Sequence, residues 1–551
     1  MSVPSIPQPQ RALIVSWAAL GRRGSWHAPL RRAAALLLAL TGLGASAQQP
    51  SPPKPPEARF DVFEYRVEGN SVLPVETIER AVYPFLGERR TVADVESARA
   101  ALEAAYRNAG YGTVGVDTPE QKITDSVVTL QVVQAPVSRL RVVGAKYYSQ
   151  ERILEKVPSL AEGEVPNFKL ATEQLATVNR SADRRVTPLL RPGKTPGTTE
   201  VDLVVEDKAP LHGSIELNNK ASPNTTNLRL QASLRYDNLW QLEHSIGVQA
   251  QVSPEDTSQV RVFSGSYSVP LGTGLLVFSA IRSNSNTVAG IGDTSVFGRG
   301  SIYGLHRVVV LGSDESLSQT LTFGADYKNF TESVSVGANQ GFNTPIHYLP
   351  LSLGYAATLT DKQGIWQAGA GLELAVRGLA SSEAQFADKR FMAQSNFSIL
   401  KFDVARTQNL PLGLSLFGKL EGQLSDQALI SNEQFVAGGV DSVRGYLEAT
   451  AVGDKALRGT LELRGPNLAR DSWGLIGGLR AHAFVEGAGL WLNSPLPAQQ
   501  ARFGLLGTGV GLRLQARQTA SFAIDVGWPL RDALQTQRGT VRVQASGLLD
   551  F

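Results

Sequence analysis

Two hydrophobic rhythms divide this chain. Up to about residue 208, helical and strand-like spacings take turns; from about 209 onward a period of two dominates. In the first part, Phe60–Glu68 reads as a strand that stops at Gly69-Asn70. A short helix is predicted over about Pro74–Leu86 and a longer one over about Thr91–Ala109. The longer one places Val92, Val95, Ala98, Leu102, Ala105 and Tyr106 on one face, with Gly110 as its stop. Strands follow at Thr113–Asp117 and Ser126–Gln134. The order β-α-α-β-β then recurs. It runs through strand Ser138–Val143, helices Ser149–Val157 and Phe168–Ala182, and strands Arg185–Leu190 and Glu200–Glu206 around a Pro/Gly turn. Two copies of one small α/β domain are therefore expected, at 60–136 and 137–208, repeated in pattern more than in letters.

From 209 to 551 the alternation is that of strands. Leu228, Leu230, Ala232, Leu234 and Tyr236 alternate with Arg229, Gln231, Ser233 and Arg235. Phe522, Ile524, Val526 and Trp528 keep the same period. The last strand sets Val541, Val543, Ala545, Gly547, Leu549 and Phe551 on one face and Arg542, Gln544 and Ser546 on the other. One apolar face and one charged face suit a wall between lipid and a wet lumen. Residues 209–551 make 343 residues. At roughly 10 residues per spanning strand plus turns, about 16 strands fit. Closure follows, because an open edge in lipid would leave unpaired N–H and C=O groups. The expected fold class is a membrane all-β barrel of about 16 antiparallel strands, preceded by the two α/β domains. A soluble β-sandwich also alternates, but it does not need so many strands. Tyr236, Trp240, Trp366 and Trp528 are candidates for interfacial girdles.

The N-terminus adds a destination. Arg22, Arg23, Arg31 and Arg32 precede an apolar run, Ala33–Leu43, and Ala45-Ser46-Ala47 fits a cleavage site. Residues 1–47 thus read as an export signal; the run is about 12 residues, against the roughly 20 that span a bilayer. Residues 48–59 read as a Pro-rich tether. The chain has no cysteine, which suits an oxidising compartment and excludes thiolate chemistry. A net charge of +3 makes no case for a nucleic-acid partner. A mean hydropathy of −0.09 is too low for a helical membrane protein and ordinary for a barrel.

Little in the chain points to catalysis. His27, His212, His244, His306, His347 and His482 occur singly, without metal-ligand spacing. Ser398-Ile399-Leu400-Lys401 matches S-x-x-K but falls in strand texture without companion motifs. Gly507, Gly509 and Gly511 lack the lysine and helix of a phosphate loop and read as strand glycines. No enzyme, cofactor or metal is expected.

Three local strings carry a resemblance. Residues 438–446 read GGVDSVRGY, residues 484–488 read FVEGA, and the chain ends at Phe551. With two β-α-α-β-β domains before a barrel, the chain resembles the outer-membrane transporters of two-partner secretion, of the haemolysin-activator and filamentous-haemagglutinin type. In that family the small domains are polypeptide-transport-associated (POTRA) domains. The resemblance covers about 60–551. It implies that Val443, Arg444, Gly445 and Tyr446 form the tip of a long loop folded back into the barrel. It implies that Phe484 and Glu486 lie on an inward-facing strand, with Glu486 as the loop's latch partner. The family pattern there is Phe-x-Asp-x-Gly, and this chain departs from it at Glu486 and Ala488. Phe551 resembles the terminal aromatic read by the barrel-assembly machinery.

The resemblance further implies an outer-membrane barrel among lipids, POTRA domains in the periplasm, and a secreted exoprotein of adhesin or cytolysin type as partner. An assembly factor that inserts other barrels shares the loop motif but usually carries more POTRA domains. A diffusion porin would leave 60–208 without a role. A guanidinium fork can take a carboxylate through two parallel hydrogen bonds, so a latch through Arg444 is physically sound. Between Gln48 and Phe60 there is too little chain for a plug helix and its linker, so the Arg444 loop is expected to be the main obstruction. Arg185–Leu190 is a candidate edge strand for pairing with the client, by position.

Overall fold

The computed structural model describes residues 58–291, 294–313, 316–335, 341–469, 474–517 and 519–551. The expected signal (1–47), nearly all of the tether and the expectation of no plug helix lie outside the described residues. The chain forms two compact units, one ending at Lys208 and one covering Ala209–Phe551.

In the first unit, β1 (Phe60–Val62), β2 (Glu64–Glu68), α1 (Val75–Val82), β3 (Gly87–Arg90), α2 (Val92–Asn108), β4 (Gly115–Asp117) and β5 (Val127–Val133) form the first module. Its sheet has the order β2-β5-β4, while β1 pairs with β3. The stretch 60–68, read as one strand, is two. Thr91 starts α2 through a capping box with Asp94, and Gly110, at φ +99°, stops it. Val95, Ala98, Leu102 and Tyr106 are buried as the spacing requires; Val92, at the first helical position, is exposed.

The second module holds β6 (Val137–Val143), α3 (Gln150–Glu155), α4 (Phe168–Val178), β7 (Arg184–Pro192) and β8 (Thr199–Asp207), with sheet order β6-β8-β7. Asn167 stitches the modules together. Its Oδ1 caps α4 at the Leu170 N–H, and its Nδ2 donates to the Ala109 carbonyl at the end of α2 (3.1 Å each). The Phe168 N–H donates to the Gly110 carbonyl at 2.8 Å.

β7 is an edge strand, but a blunted one. The Asn179 carboxamide bonds both backbone groups of Val186 (2.7 and 3.0 Å), so even-numbered residues point their backbone away from β8. Pro188 and Pro192 fall in that same set and have no N–H to offer. This argues against the Arg185–Leu190 segment as a docking edge. β2 also pairs on one side only and contains no proline.

The second unit is a closed barrel of sixteen antiparallel strands. Its first eight are β9 (Leu211–Asn218), β10 (Arg229–Leu239), β11 (His244–Val252), β12 (Arg261–Leu271), β13 (Gly274–Ile291), β14 (Thr294–Ser313), β15 (Leu317–Ser335) and β16 (Gly341–Asp361). β17 (Gly364–Ala380), α5 (Glu383–Lys389), β18 (Ser398–Asn409) and β19 (Ser415–Ser425) follow. The long loop 426–454 contains the short β20 (Phe435–Ala437) and β21 (Ala451–Gly453). β22 (Lys455–Arg464), β23 (Ile476–Trp491), β24 (Arg502–Ala516), β25 (Ala520–Pro529) and β26 (Arg542–Asp550) complete the wall. The alternating apolar residues face outward: Leu230, Leu234, Phe522, Ile524, Val543 and Leu549 are exposed on the outer surface, where lipid would cover them.

Closure is made by β26 and β9, paired from Ser546↔Asn218 to Asp550↔Ser214. Two devices lengthen this seam. Phe551 and Gly213 exchange two backbone hydrogen bonds of 2.9 Å at the end where β9 begins, here the proximal end. At the other, distal end, the Asn219 side chain acts as a backbone unit: Nδ2 donates to the Val543 carbonyl (2.9 Å) and Oδ1 accepts from the Ala545 N–H (2.8 Å). Trp240 and Trp366 are exposed at proximal ends of strands, while Trp528 lies near the distal end of β25.

Helix α5 corrects the expectation of strands alone after 209. It stands between β17 and β18, and its Phe386 is fully buried against Ile302, Phe330, Tyr348, Phe397 and Ile399, with Leu429 and Ile430 of the long loop. An apolar cluster therefore occupies this side of the lumen. The signal was present: Ser382 and Gln385 form a capping box.

Candidate functional site: a loop latched in the barrel lumen

The loop 426–454 rises from β19 and returns to β22. β20 and β21 pair with each other to make its stem, and residues 438–450 make its tip. The tip carries the GGVDSVRGY string. Val443 and Tyr446 are fully buried with Ala488, Leu490 and Leu505. The Tyr446 hydroxyl sits between two strand ends, 3.0 Å from the Leu506 carbonyl and 2.9 Å from the Arg531 carbonyl. The wall is thinned to admit the tip. A Cβ on Gly507 would lie 2.3 Å from the Arg444 carbonyl oxygen, and one on Gly527 would lie 2.6 Å from the Gly445 nitrogen. Gly507 therefore makes room for backbone.

Arg444 is 4% exposed and meets three carboxylates from three strands. Glu486 on β23 takes most of it. Its Oε1 accepts from Nε (2.9 Å) and Nη2 (2.6 Å), and its Oε2 accepts from the Arg444 backbone N–H (2.7 Å). Glu462 on β22 accepts from Nη2 at 2.7 Å, and Asp525 on β25 lies 3.3 Å from Nη1. The guanidinium also lies over the Phe484 ring, 3.5 Å from its centroid. Arg464 bonds Glu462 (2.8 Å) and Arg513 bonds Asp525 (2.8 Å). Three arginines thus face three carboxylates, which is what a buried ionic cluster needs to be tolerated. His482 Nε2 lies 2.7 Å from Asp525 Oδ1, short enough to donate to it.

The structure thus brings together Arg444, Phe484 and Glu486. The longer glutamate arm keeps the pair and adds the backbone contact, while Ala488 packs its methyl among the tip's apolar residues. Phe551 stands apart at the seam. Sequence reading missed Glu462, His482, Asp525 and Arg513. His482 was the most findable, since residues 482, 484 and 486 share one strand face.

Three further anchors hold the loop. In its stem, Glu433 bonds Lys328 of β15 (2.6 Å), which also bonds Glu373 of β17 (2.9 Å); Lys401 bonds Glu373 at 3.2 Å. Lys401 of the S-x-x-K string therefore has an ionic role in the wall. Fully buried Asp454 takes Arg390 (2.8 Å), the Asn493 N–H (2.6 Å) and the Leu429 N–H (3.1 Å). At the tip, Lys220 of the first distal loop bonds Asp441 (2.9 Å), and the Glu448 N–H donates to the Ala221 carbonyl (3.0 Å).

Glu448 gives this last anchor a pH dependence. Its Oε1 accepts from the Val440 N–H at 2.8 Å. Burial first, then the neighbouring Asp441 charge, push its pKa up to about 7, against the opposing pull of Lys220 and Arg229. A docked pKa above the free value means docking is favoured while the group is protonated. That contribution is fully present below the free carboxyl's range and is lost as pH rises through about 7. Single-channel recordings of the purified protein should therefore show more frequent openings at pH 8 than at pH 5.5. Glu448→Gln should flatten that difference; a pH response that survives the substitution would assign it elsewhere.

A sixteen-strand barrel whose lumen holds its own ion-paired loop, preceded by two small α/β modules, fits a polypeptide transporter of the outer membrane. A family model for the haemolysin secretion/activation proteins ShlB/FhaC/HecB matches residues 197–514, and one for the ShlB-type POTRA domain matches 60–135. The chain belongs to that family: it is an outer-membrane transporter of two-partner secretion, with its POTRA domains in the periplasm. The proximal end of the barrel is accordingly periplasmic. The outer membrane transporter CdiB of Dickeya dadantii (strain 3937) is 23% identical over 80% of this chain and 77% of its own. Among solved structures, CdiB from Escherichia coli has a TM-score of 0.63 at 20% identity, over 92% of this chain and 93% of that one. BamA from Haemophilus ducreyi, lacking POTRA domains 1–3, has a TM-score of 0.55 at 13% identity, over 89% and 100%. These last two likenesses speak to the fold.

Proposed function

We propose that the Arg444 loop is a latch that the translocating polypeptide must displace, and that the client is an exoprotein captured in extended form by the first POTRA domain. The observation that carries the reading is the Arg444–Glu486–Glu462–Asp525 cluster, which ties a loop across the lumen through side chains and one backbone N–H. Such a tie can be broken and remade without unpairing any strand of the wall. Capture would use β2, whose free edge can add a client strand by backbone hydrogen bonding; β7 is blunted by Asn179, Pro188 and Pro192.

The test begins with the culture-medium proteome of the host with the gene intact or deleted. One exoprotein should vanish on deletion. A photo-crosslinker at Glu64 in β2 should then capture that exoprotein, and one at Thr187 in β7 should not. An unchanged medium with outer-membrane barrels depleted would make the chain an assembly factor. Capture at Thr187 alone would overturn the choice of edge.

A further inference from the structure

Beside the latch, the lumen holds a cavity of about 500 Å³ whose charge is uneven. Lys419, Arg444, Arg458, Arg464, Arg480 and Arg513 line it, against Asp441, Glu462 and Glu486. Most of these cations have assigned work. Lys419 and Arg458 bond Glu421, Arg464 bonds Glu462, and Arg513 bonds Asp525. Arg480 has no carboxylate partner among the described residues. It also sits directly across β23 and β24 from Arg513, both side chains on the lumen face. Like charges placed opposite each other on one face of a sheet repel and weaken the pairing. Asp525 answers the Arg513 charge while also serving His482, and among the described residues no carboxylate answers Arg480.

The position along the pore matters as much as the charge. Strand β23 runs upward from the periplasmic end, so Arg480 precedes His482, Phe484 and Glu486. Arg464 and Arg513 lie near the periplasmic ends of β22 and β24. A chain entering from the periplasm meets these three arginines before it meets the latch.

We infer that Arg480, Arg513 and Arg464 form a receiving site for acidic segments of an extended polypeptide, set just before the latch. The inference rests on the transport reading above and names the chemistry that the pore accepts. Guanidinium forks suit carboxylates, and an arriving carboxylate would relieve the Arg480–Arg513 repulsion. It would also offer Arg444 an alternative to Glu486 and Glu462, so binding at this site favours release of the loop. Basic segments would meet an excess of cations over carboxylates here.

The test uses the purified full-length protein and two labelled decapeptides, oligoglutamate and oligolysine, at equal ionic strength. Oligoglutamate should bind and oligolysine should not. Arg480→Glu should weaken oligoglutamate binding by roughly tenfold or more, as expected for reversing one charge in a close ion-pairing site. Arg480→Gln should fall between. Arg480 makes no ion pair among the described residues, so both variants should fold, which heat-modifiable migration of the barrel on gels checks. Equal binding of the two peptides, or binding indifferent to Arg480→Glu, would overturn the inference. Peptide binding is read without export, so an unchanged culture medium on gene deletion would count against the transport reading alone.

Discussion

Arg444→Ala is expected to free the loop and to raise the pore's open probability by about tenfold or more. The substitution leaves Glu486, Glu462 and Asp525 clustered with one fewer cation, in a place where Glu486 is only 4% exposed. Breaking one side of a buried ion pair costs about 3–5 kcal/mol. Arg464, Arg513 and His482 remain and soften that cost, but none replaces the backbone and fork contacts to Glu486. Even about 1.4 kcal/mol shifts a two-state loop equilibrium tenfold. The tip's apolar contacts through Val443 and Tyr446 remain, so undocking should be frequent rather than permanent. In bilayer recordings, conductance should rise and fluctuate. Arg444→Lys, which keeps a charge but loses the fork, should fall between the two. An Arg444→Ala pore with native conductance would mean that the loop is held by its packing and its other anchors, and that the ionic cluster is incidental to gating.

The barrel was legible because its physics is repetitive. Each spanning strand must put apolar residues on lipid, so Leu230, Leu234, Ile524 and Leu549 announce themselves by period alone. The two POTRA domains were legible through helix faces such as Val95, Ala98, Leu102 and Tyr106. β3 escaped notice because Gly87-Glu88-Arg89-Arg90 contains no large apolar residue; it exists only because β1 offers it a partner. Helix α5 was hidden by the strand rhythm around it, although its capping box was plain.

The site was half legible. Arg444 and Glu486 belong to strings with family meaning, whereas Glu462, Asp525, Lys328, Glu373 and Glu433 carry none. Lys328 and Glu433 are 105 positions apart in sequence. Only the strand pairing and the loop's inward course bring them together, and neither is written in local spacing. The blunting of β7 was readable in part: its two prolines stand in the sequence, but Asn179 reaches Val186 only once α4 is packed.

The second large effect concerns the loop's freedom to move. The central claim is that the client passes only when the tip leaves the lumen, and the chain permits a clean trap for it. There is no native cysteine, so thiols introduced as Lys220→Cys and Asp441→Cys would be the only ones present. The two side chains they replace touch at 2.9 Å, and Asp441 is well exposed, so a short, reductant-cleavable bis-thiol crosslinker can bridge them. Bridging ties the tip to the first distal loop, beside the seam that Asn219 fastens. The uncrosslinked double variant loses one exposed ion pair, worth about 0–1 kcal/mol, and should export nearly normally. The measurement is client export by the crosslinked cells before and after reductant. The account predicts export that stops on crosslinking and returns on reduction. Export that continues undiminished with the bridge in place would show that the client passes with the tip still docked, and that the latch is not on its path.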